Sequence, residues 1–195
     1  MRDRNRERNQ IWMLCIAGAL FGVLLCAIAR AGEPVGSDAK VVALGFSPSH
    51  QCTDIEVKVI GSAKKEILVE AYNFTSAPII AALDSAKASG VDVKVILDER
   101  ANLTNKKSGR RDIEKHRIPT WIDGKHPIMH DKVTIVDDRF VENGSFNYSH
   151  NAESNGENCL VLDDRALADA YRRDWLSHQA HSTRGDGSAV KGKKK

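Results

Sequence analysis

The chain has 195 residues and a formal net charge of +3, from 29 Lys and Arg against 26 Asp and Glu. Five arginines lie in residues 1–31 against Asp3 and Glu7, and the tail 183–195 carries +4, which leaves the body 32–182 at −4. Bulk charge therefore excludes an overall basic nucleic-acid binder. The roughly 160 residues that follow position 31 make one domain.

Residues 1–31 read as an export signal. Arg2, Arg4, Arg6 and Arg8 form a basic start, Ile11 to Ala29 is an uncharged and mostly apolar run, and Ala29-Arg30-Ala31 is an A-x-A cleavage site before Gly32. The run has 19 residues, longer than the roughly 7 to 15 of a usual signal core. The alternative is an uncleaved anchor that attaches the protein to a membrane through residues 11–29. The arginines precede the run, so either arrangement exports the remainder, to the periplasm or outside the cell. Cys52 and Cys159 are the cysteines of the mature chain. They can pair as a disulfide in an oxidising compartment or stay as separate buried thiols, and they lack the spacing of zinc ligands.

Within 32–182 the pattern alternates strand and helix. Val41–Phe46 is a predicted strand and Thr53–Ala63 a predicted helix. Glu66–Tyr72 is a strand around the buried run Ile67-Leu68-Val69. Thr75 or Ser76 caps a helix through Ala88, with Pro78 tolerated in its first turn. Gly90 ends that helix and Val91–Leu97 is the next strand. A weaker helix covers Gly109–His116. A strand beginning at His130, a return strand from Phe140, a strand over Asn158–Leu162 and a helix over Arg165–Ser182 complete the body. This order predicts a three-layer α/β/α domain with a central mixed sheet, and residues 183–195 read as a basic disordered tail.

The chemistry is concentrated between residues 130 and 147. His130 and Lys132 are followed by Asp137 in the pattern H-x-K-x4-D, and then by Gly144-Ser145-Phe146-Asn147. On an extended backbone His130 and Lys132 point to one side. The return strand delivers Ser145 and Asn147 to the same end of the sheet, with Gly144 allowing close backbone approach to a ligand. An imidazole, an ammonium, a hydroxyl and a carboxamide together suit attack on a phosphodiester. Upstream, Lys106, Lys107, Arg110, Arg111, Lys115 and Arg117 stand against Asp112 and Glu114. Lys106, Lys107, Arg110 and Arg111 are the expected track for a phosphate backbone. His116, His126, His150, His178 and His181 are read as surface residues. Trp121, Trp175 and Tyr148 are read as packing residues, with Tyr148 the best placed to stack on a base.

The segment resembles the HKD motif of the phospholipase D superfamily. More narrowly, residues 41–182 resemble its small bacterial endonucleases, including the plasmid-borne, EDTA-resistant type. The resemblance extends to Glu70-Ala71-Tyr72-Asn73-Phe74-Thr75-Ser76, Gly90–Ile96 and Glu157-Asn158. It implies that two motifs make one site, so this single-motif chain forms a homodimer with the site on its twofold axis. One His130 attacks phosphorus to form a phosphohistidine, and the other acts as acid and then base. Lys132, Ser145 and Asn147 would bind phosphoryl oxygens. Glu157, with Glu153 as its rival, would orient the nucleophilic ring. Asp137 belongs to the motif by spacing, and its odd separation from His130 and its place at a strand end suggest a structural role or one behind the catalytic groups. No cofactor and no catalytic metal are implied. The expected function is an exported, metal-independent endonuclease of DNA, with RNA as a further substrate. The competing readings are a lipid-active phospholipase D and a non-catalytic DNA-binding component of a conjugation or competence apparatus.

Overall fold

The computed structural model describes residues 38–185. Its strands are β1 (Lys40–Ser47), β2 (Glu66–Ala71), β3 (Asp92–Asp98), β4 (Thr120–Asp123), β5 (Lys132–Val136), β6 (Phe140–Gly144), β7 (Glu157–Asp163) and β8 (Thr183–Arg184). The helices are α1 (Gln51–Ser62), α2 (Ala77–Ala88), α3 (Glu99–Leu103), α4 (Arg110–Lys115) and α5 (Arg165–His181), with a 3-10 turn at His150–Ser154. The strands form one sheet in the order β1-β7-β6-β5-β2-β3-β4-β8. The β2–β3 and β3–β4 pairs are parallel and the other pairs antiparallel.

Alternation along the central strands divides the core into two layers. Ile67, Val69 and Ala71 of β2 face α1, α2 and α4 through Ile60, Ile79, Leu83 and Ile113. Leu68 faces the other way, with Ile96, Trp121, Val133 and Ile135, against Ala168 and Trp175 of α5. The domain is thus the expected α/β/α sandwich. Burying these apolar faces on both sides of the sheet is its main stabilisation, at about 25 cal/mol per Å² of apolar surface. A disulfide joins Cys52 of α1 to Cys159 of β7, with Cα atoms 5.6 Å apart, which decides between the two cysteine alternatives.

Several boundaries follow local chemistry. α2 begins after Ser76 with Pro78 in its first turn, and Gly90, at φ +90°, takes the left-handed conformation beyond its end. α5 begins where the Asp164 side chain accepts the Leu167 N–H. α3, β4 and β8 were not foreseen. Each has five residues or fewer, too few to display a period. β8 contradicts disorder at the start of the tail, because Thr183 and Arg184 pair with Ile122 and Trp121.

The proposed membrane attachment is corrected: no helix among the described residues is long and apolar enough to cross a membrane. Residues 1–37, including the run 11–29, and residues 186–195 lie outside the described residues.

Candidate active site

Four chain segments meet at the end of the sheet where the parallel strands β2, β3 and β4 terminate. Lys132 opens β5 opposite Ala71, the last residue of β2. β6 ends at Gly144 opposite Cys159, two residues into β7. Tyr72, Lys132, Ser145 and Glu157 therefore share one edge. Open α/β sheets bind ligands at the carboxyl ends of their parallel strands because the connecting loops diverge there.

His130 lies two residues before β5 and is exposed. The expectation that the strand carries both motif side chains thus holds for Lys132 alone. His130 is placed by contacts. Its ring packs on Tyr72 at 4.7 Å between centroids. Lys132 Nζ donates to the His130 carbonyl at 2.6 Å and stands 2.9 Å from His130 Nδ1. The same ammonium lies 5.3 Å from the Tyr72 ring centre, a cation–π contact. Lys132 is 6% exposed. Burial pulls its ammonium below the usual lysine value, and Asp131 and Glu157 oppose that shift. An ammonium donating to Nδ1 leaves the proton of a neutral imidazole on Nε2.

Gly144 is required by crowding. A Cβ there would lie 2.2 Å from the Asn158 carbonyl, so the close approach is to β7 and not to a ligand. It brings Ser145 against β7, where Ser145 Oγ donates to Glu157 Oε2 at 2.5 Å and accepts the Asn158 N–H at 3.1 Å. Glu157 Oε1 accepts from Asn155 at 2.9 Å. Glu157 thus holds Ser145 in this chain. Glu153, its rival, accepts from Thr53 and pairs with His50 2.9 Å away. Asn147 is half-buried, and its Oδ1 is enclosed without a hydrogen-bond partner among the described residues.

Asp137 is separated from the site. It follows β5 at the far edge of the sheet, about 17 Å along the strand from Lys132 at 3.3 Å per residue. Its carboxylate accepts N–H groups of Lys64, Lys65 and Glu66 at 2.7–3.0 Å. Burial opposes its charge, but the three donors prevail and hold Asp137 below the usual aspartate range. Its motif spacing reflects a structural clasp on β2.

The basic segment is divided. Lys106, Lys107 and Arg111 are exposed. Arg110 is committed elsewhere: its Nη1 donates to both Glu114 oxygens at 2.7 and 2.9 Å and to the Gly185 carbonyl at 3.3 Å. The loop carrying the lysines is tied to the site, because the Gly109 N–H donates to the Phe74 carbonyl and Asn102 Nδ2 to the Tyr72 carbonyl.

Tyr148 is fully buried and carries no base-stacking face. Its hydroxyl donates to Glu142, beside Thr134, and Thr134 donates to Glu56. Burial pushes Glu56 up to about 7 and, with the neighbouring Glu56 charge, Glu142 well above the carboxylate range. Sequence reasoning missed Tyr72 as a site residue, since only the β2–β5 pairing reveals it. It also misplaced His126, His178 and His181, which converge where α5 meets the end of β4.

Comparison with known proteins agrees with this geometry. A family model described as "Cardiolipin synthase, PLD-like domain" matches residues 57–178. A protein named phospholipase D from Rickettsia bellii (strain RML369-C) is 39% identical over 203 aligned positions, covering 93% of this chain and 100% of the relative. The crystal structure of a phospholipase D family member, Nuc from Salmonella typhimurium, superposes with a TM-score of 0.72 at 37% identity, covering 75% of this chain and 98% of that one. NucT from Helicobacter pylori gives 0.67 at 26% identity, covering 74% and 98%.

Proposed function

The chain belongs to the phospholipase D superfamily and carries its hydrolase domain, and from that premise we propose that it is an exported phosphodiesterase working through a phosphohistidine in a homodimer. The observation that carries this reading is the exposed His130 ring against the buried Lys132 ammonium, on the same sheet edge as Ser145, at the carboxyl ends of the parallel strands. One His130 attacks phosphorus, and the bond to the leaving oxygen breaks. His130 of the partner subunit gives that oxygen a proton, then takes one from water as the water displaces the histidine. Coupled titration lets two like imidazoles hold one proton between them and divide the roles. The two Lys132 ammonium groups stabilise the added negative charge, so the step needs no metal.

Two further observations support export and pairing. The Cys52–Cys159 disulfide suits an oxidising compartment. Leu44 and Phe46 are each 56% exposed on edge strand β1. Phe46 is in register with Asn158, beside the site, and a second copy would cover that apolar surface.

The relative aligned along its whole length is named phospholipase D, which favours a phosphatidyl ester as substrate. A second reading, hydrolysis of DNA and also RNA, is favoured by exposed Lys106, Lys107 and Arg111 around a loop fastened to Tyr72 and Phe74. Purified protein is incubated in EDTA with phosphatidylcholine vesicles, with plasmid DNA and with bis-p-nitrophenyl phosphate. Choline release supports the first reading, plasmid cleavage the second. Failure to hydrolyse any of the three would sink the phosphodiesterase proposal.

A further inference from the structure

Among the side chains that the hydrolytic site does not use, one group has ligating atoms converging on a point. Asp123 ends β4 and is fully buried. Its Oδ1 accepts the N–H groups of Lys125 and His126 at 2.9 and 3.3 Å, which fixes the plane of the carboxylate. Its Oδ2 faces two imidazoles at once, with His126 Nδ1 at 2.8 Å and His181 Nε2 at 3.2 Å. One ligand atom from each of the three residues lies within 4.8 Å of the other two. A tetrahedral zinc site with bonds near 2.1 Å separates its ligands by about 3.4 Å. Asp123 Oδ2 lies within about 0.6 Å of that separation from each of the two imidazole nitrogens.

The surroundings also fit. His178 stands 5.0 Å from the His126 ring and 5.6 Å from the His181 ring, centroid to centroid. Its Nδ1 pairs with Glu70 Oε1 at 3.0 Å. Two imidazoles thus share one carboxylate oxygen of a buried acid, with the His178–Glu70 pair beside them.

We propose that Asp123, His126 and His181 form a divalent transition-metal site, zinc by preference, with a fourth position open to water. Two imidazole nitrogens and one carboxylate oxygen suit zinc better than magnesium or calcium, which take mainly oxygen ligands. The role is structural. His126 lies in the β4–β5 connection, four residues before His130, and His181 is the last residue of α5. An ion would clamp the connection that presents the histidine of the motif onto the helix that covers the sheet. The connection is otherwise held near its end by the Met129 N–H donating to Asp98 Oδ2 at 2.9 Å. The ion stands beside the phosphate site and takes no part in the chemical step.

The test uses the untagged full chain, stripped with chelator and dialysed. Zn²⁺ titrated calorimetrically should bind once per chain, and Co²⁺ in its place should give the visible absorption of a low-coordinate histidine site. His126→Gln and His181→Gln should each weaken binding by at least about tenfold. His116→Gln should leave it unchanged, because that histidine makes an isolated pair with Asp84. Zn²⁺ should raise the melting temperature of the wild type in a concentration-dependent way but not that of the two variants. It should also slow amide exchange at Ile128 and Met129. Absence of saturable binding to the wild type would overturn the proposal, as would binding undiminished in both variants or lowered equally by His116→Gln. Hydrolysis of bis-p-nitrophenyl phosphate should persist in EDTA as the melting temperature falls. If turnover instead tracked metal occupancy at constant fold, a structural role would be refuted.

Discussion

The Cys52–Cys159 disulfide should supply a large part of the stability of the domain. Its cysteines are 107 positions apart in sequence, so the bond closes most of the domain into one loop. In the chain-entropy description, a loop of that length removes about 4.8 kcal/mol of freedom from the unfolded chain at 25 °C. A domain of this size is stable by only about 5–15 kcal/mol in total. Both cysteines are buried, at 1% and 0% exposure, so serine would add unsatisfied hydroxyls. Alanine at both positions leaves only a small void, and its cost is chiefly the lost constraint. With a urea slope of about 2 kcal/mol/M, Cys52→Ala/Cys159→Ala should lower the unfolding midpoint by about 2 M. Reductant should lower the wild type by a similar amount and leave the variant unchanged. Thiol titration in denaturant should find no free thiol at these two positions in the oxidised protein. A wild-type midpoint unmoved by strong reductant, with both thiols shown to be released, would refute the entropic reasoning.

Three other outcomes are expected. His130→Ala should abolish turnover of bis-p-nitrophenyl phosphate with an unchanged circular-dichroism spectrum, and residual turnover above about 1% would point to another nucleophile. Replacing Lys106, Lys107 and Arg111 by Gln should, on the nucleic-acid reading, flatten the log–log salt dependence of duplex binding by about 0.9 for each lost phosphate contact. Arg110 is left out of that set because Glu114 holds it, and an unchanged slope in a folded variant removes the segment from recognition. Burial raises Glu56 to about 7 from 4.5, so the folded protein keeps a proton there that the unfolded chain gives up. This contribution is full below about pH 4.5 and is lost as pH rises through about 7. Glu56→Gln should flatten urea stability across that window, and a slope equal to that of the wild type would show that the pair does not titrate there.

The sandwich was legible because burial on both faces leaves runs such as Ile67-Leu68-Val69, while helix ends carry Ser76, Pro78 and Gly90. Strand order was not legible. Periodicity says that β2 and β5 are buried but not that they are neighbours, so the packing of Tyr72 against His130 had no sequence signal. Asp137 was partly legible: its odd separation from His130 and its place at a strand end suggested a structural role, and its carboxylate accepts the Lys64, Lys65 and Glu66 N–H groups at the other end of the sheet. Arg110 was misread because charge composition cannot distinguish a free guanidinium from one already bound by an acid four residues later. The histidines were missed for a related reason: His126 is separated from His178 and His181 by more than fifty residues of chain, and only the docking of α5 on β4 brings them together.

On the proposed two-histidine mechanism, the hydrogen bonds of one chain bear on the role of a second copy. Lys132 donates to His130 Nδ1 at 2.9 Å, so the nitrogen left exposed on the neutral ring carries a proton and has no lone pair to offer. Glu157, the acid expected to reverse that arrangement by accepting from Nδ1, is occupied by Ser145 and Asn155. For His130 to attack, Lys132 must leave Nδ1 and the ring must take the other tautomer. A bound phosphoryl group would drive both changes, because its oxygens compete for the ammonium and for the Ser145 hydroxyl and so free Glu157 to face the ring. The buried Lys132 gains more from an anion than an exposed lysine would, since little water has to be displaced to reach it. In the proposed dimer, the partner's His130 would then deliver the proton that a single motif cannot both withhold from its nucleophile and give to the leaving oxygen.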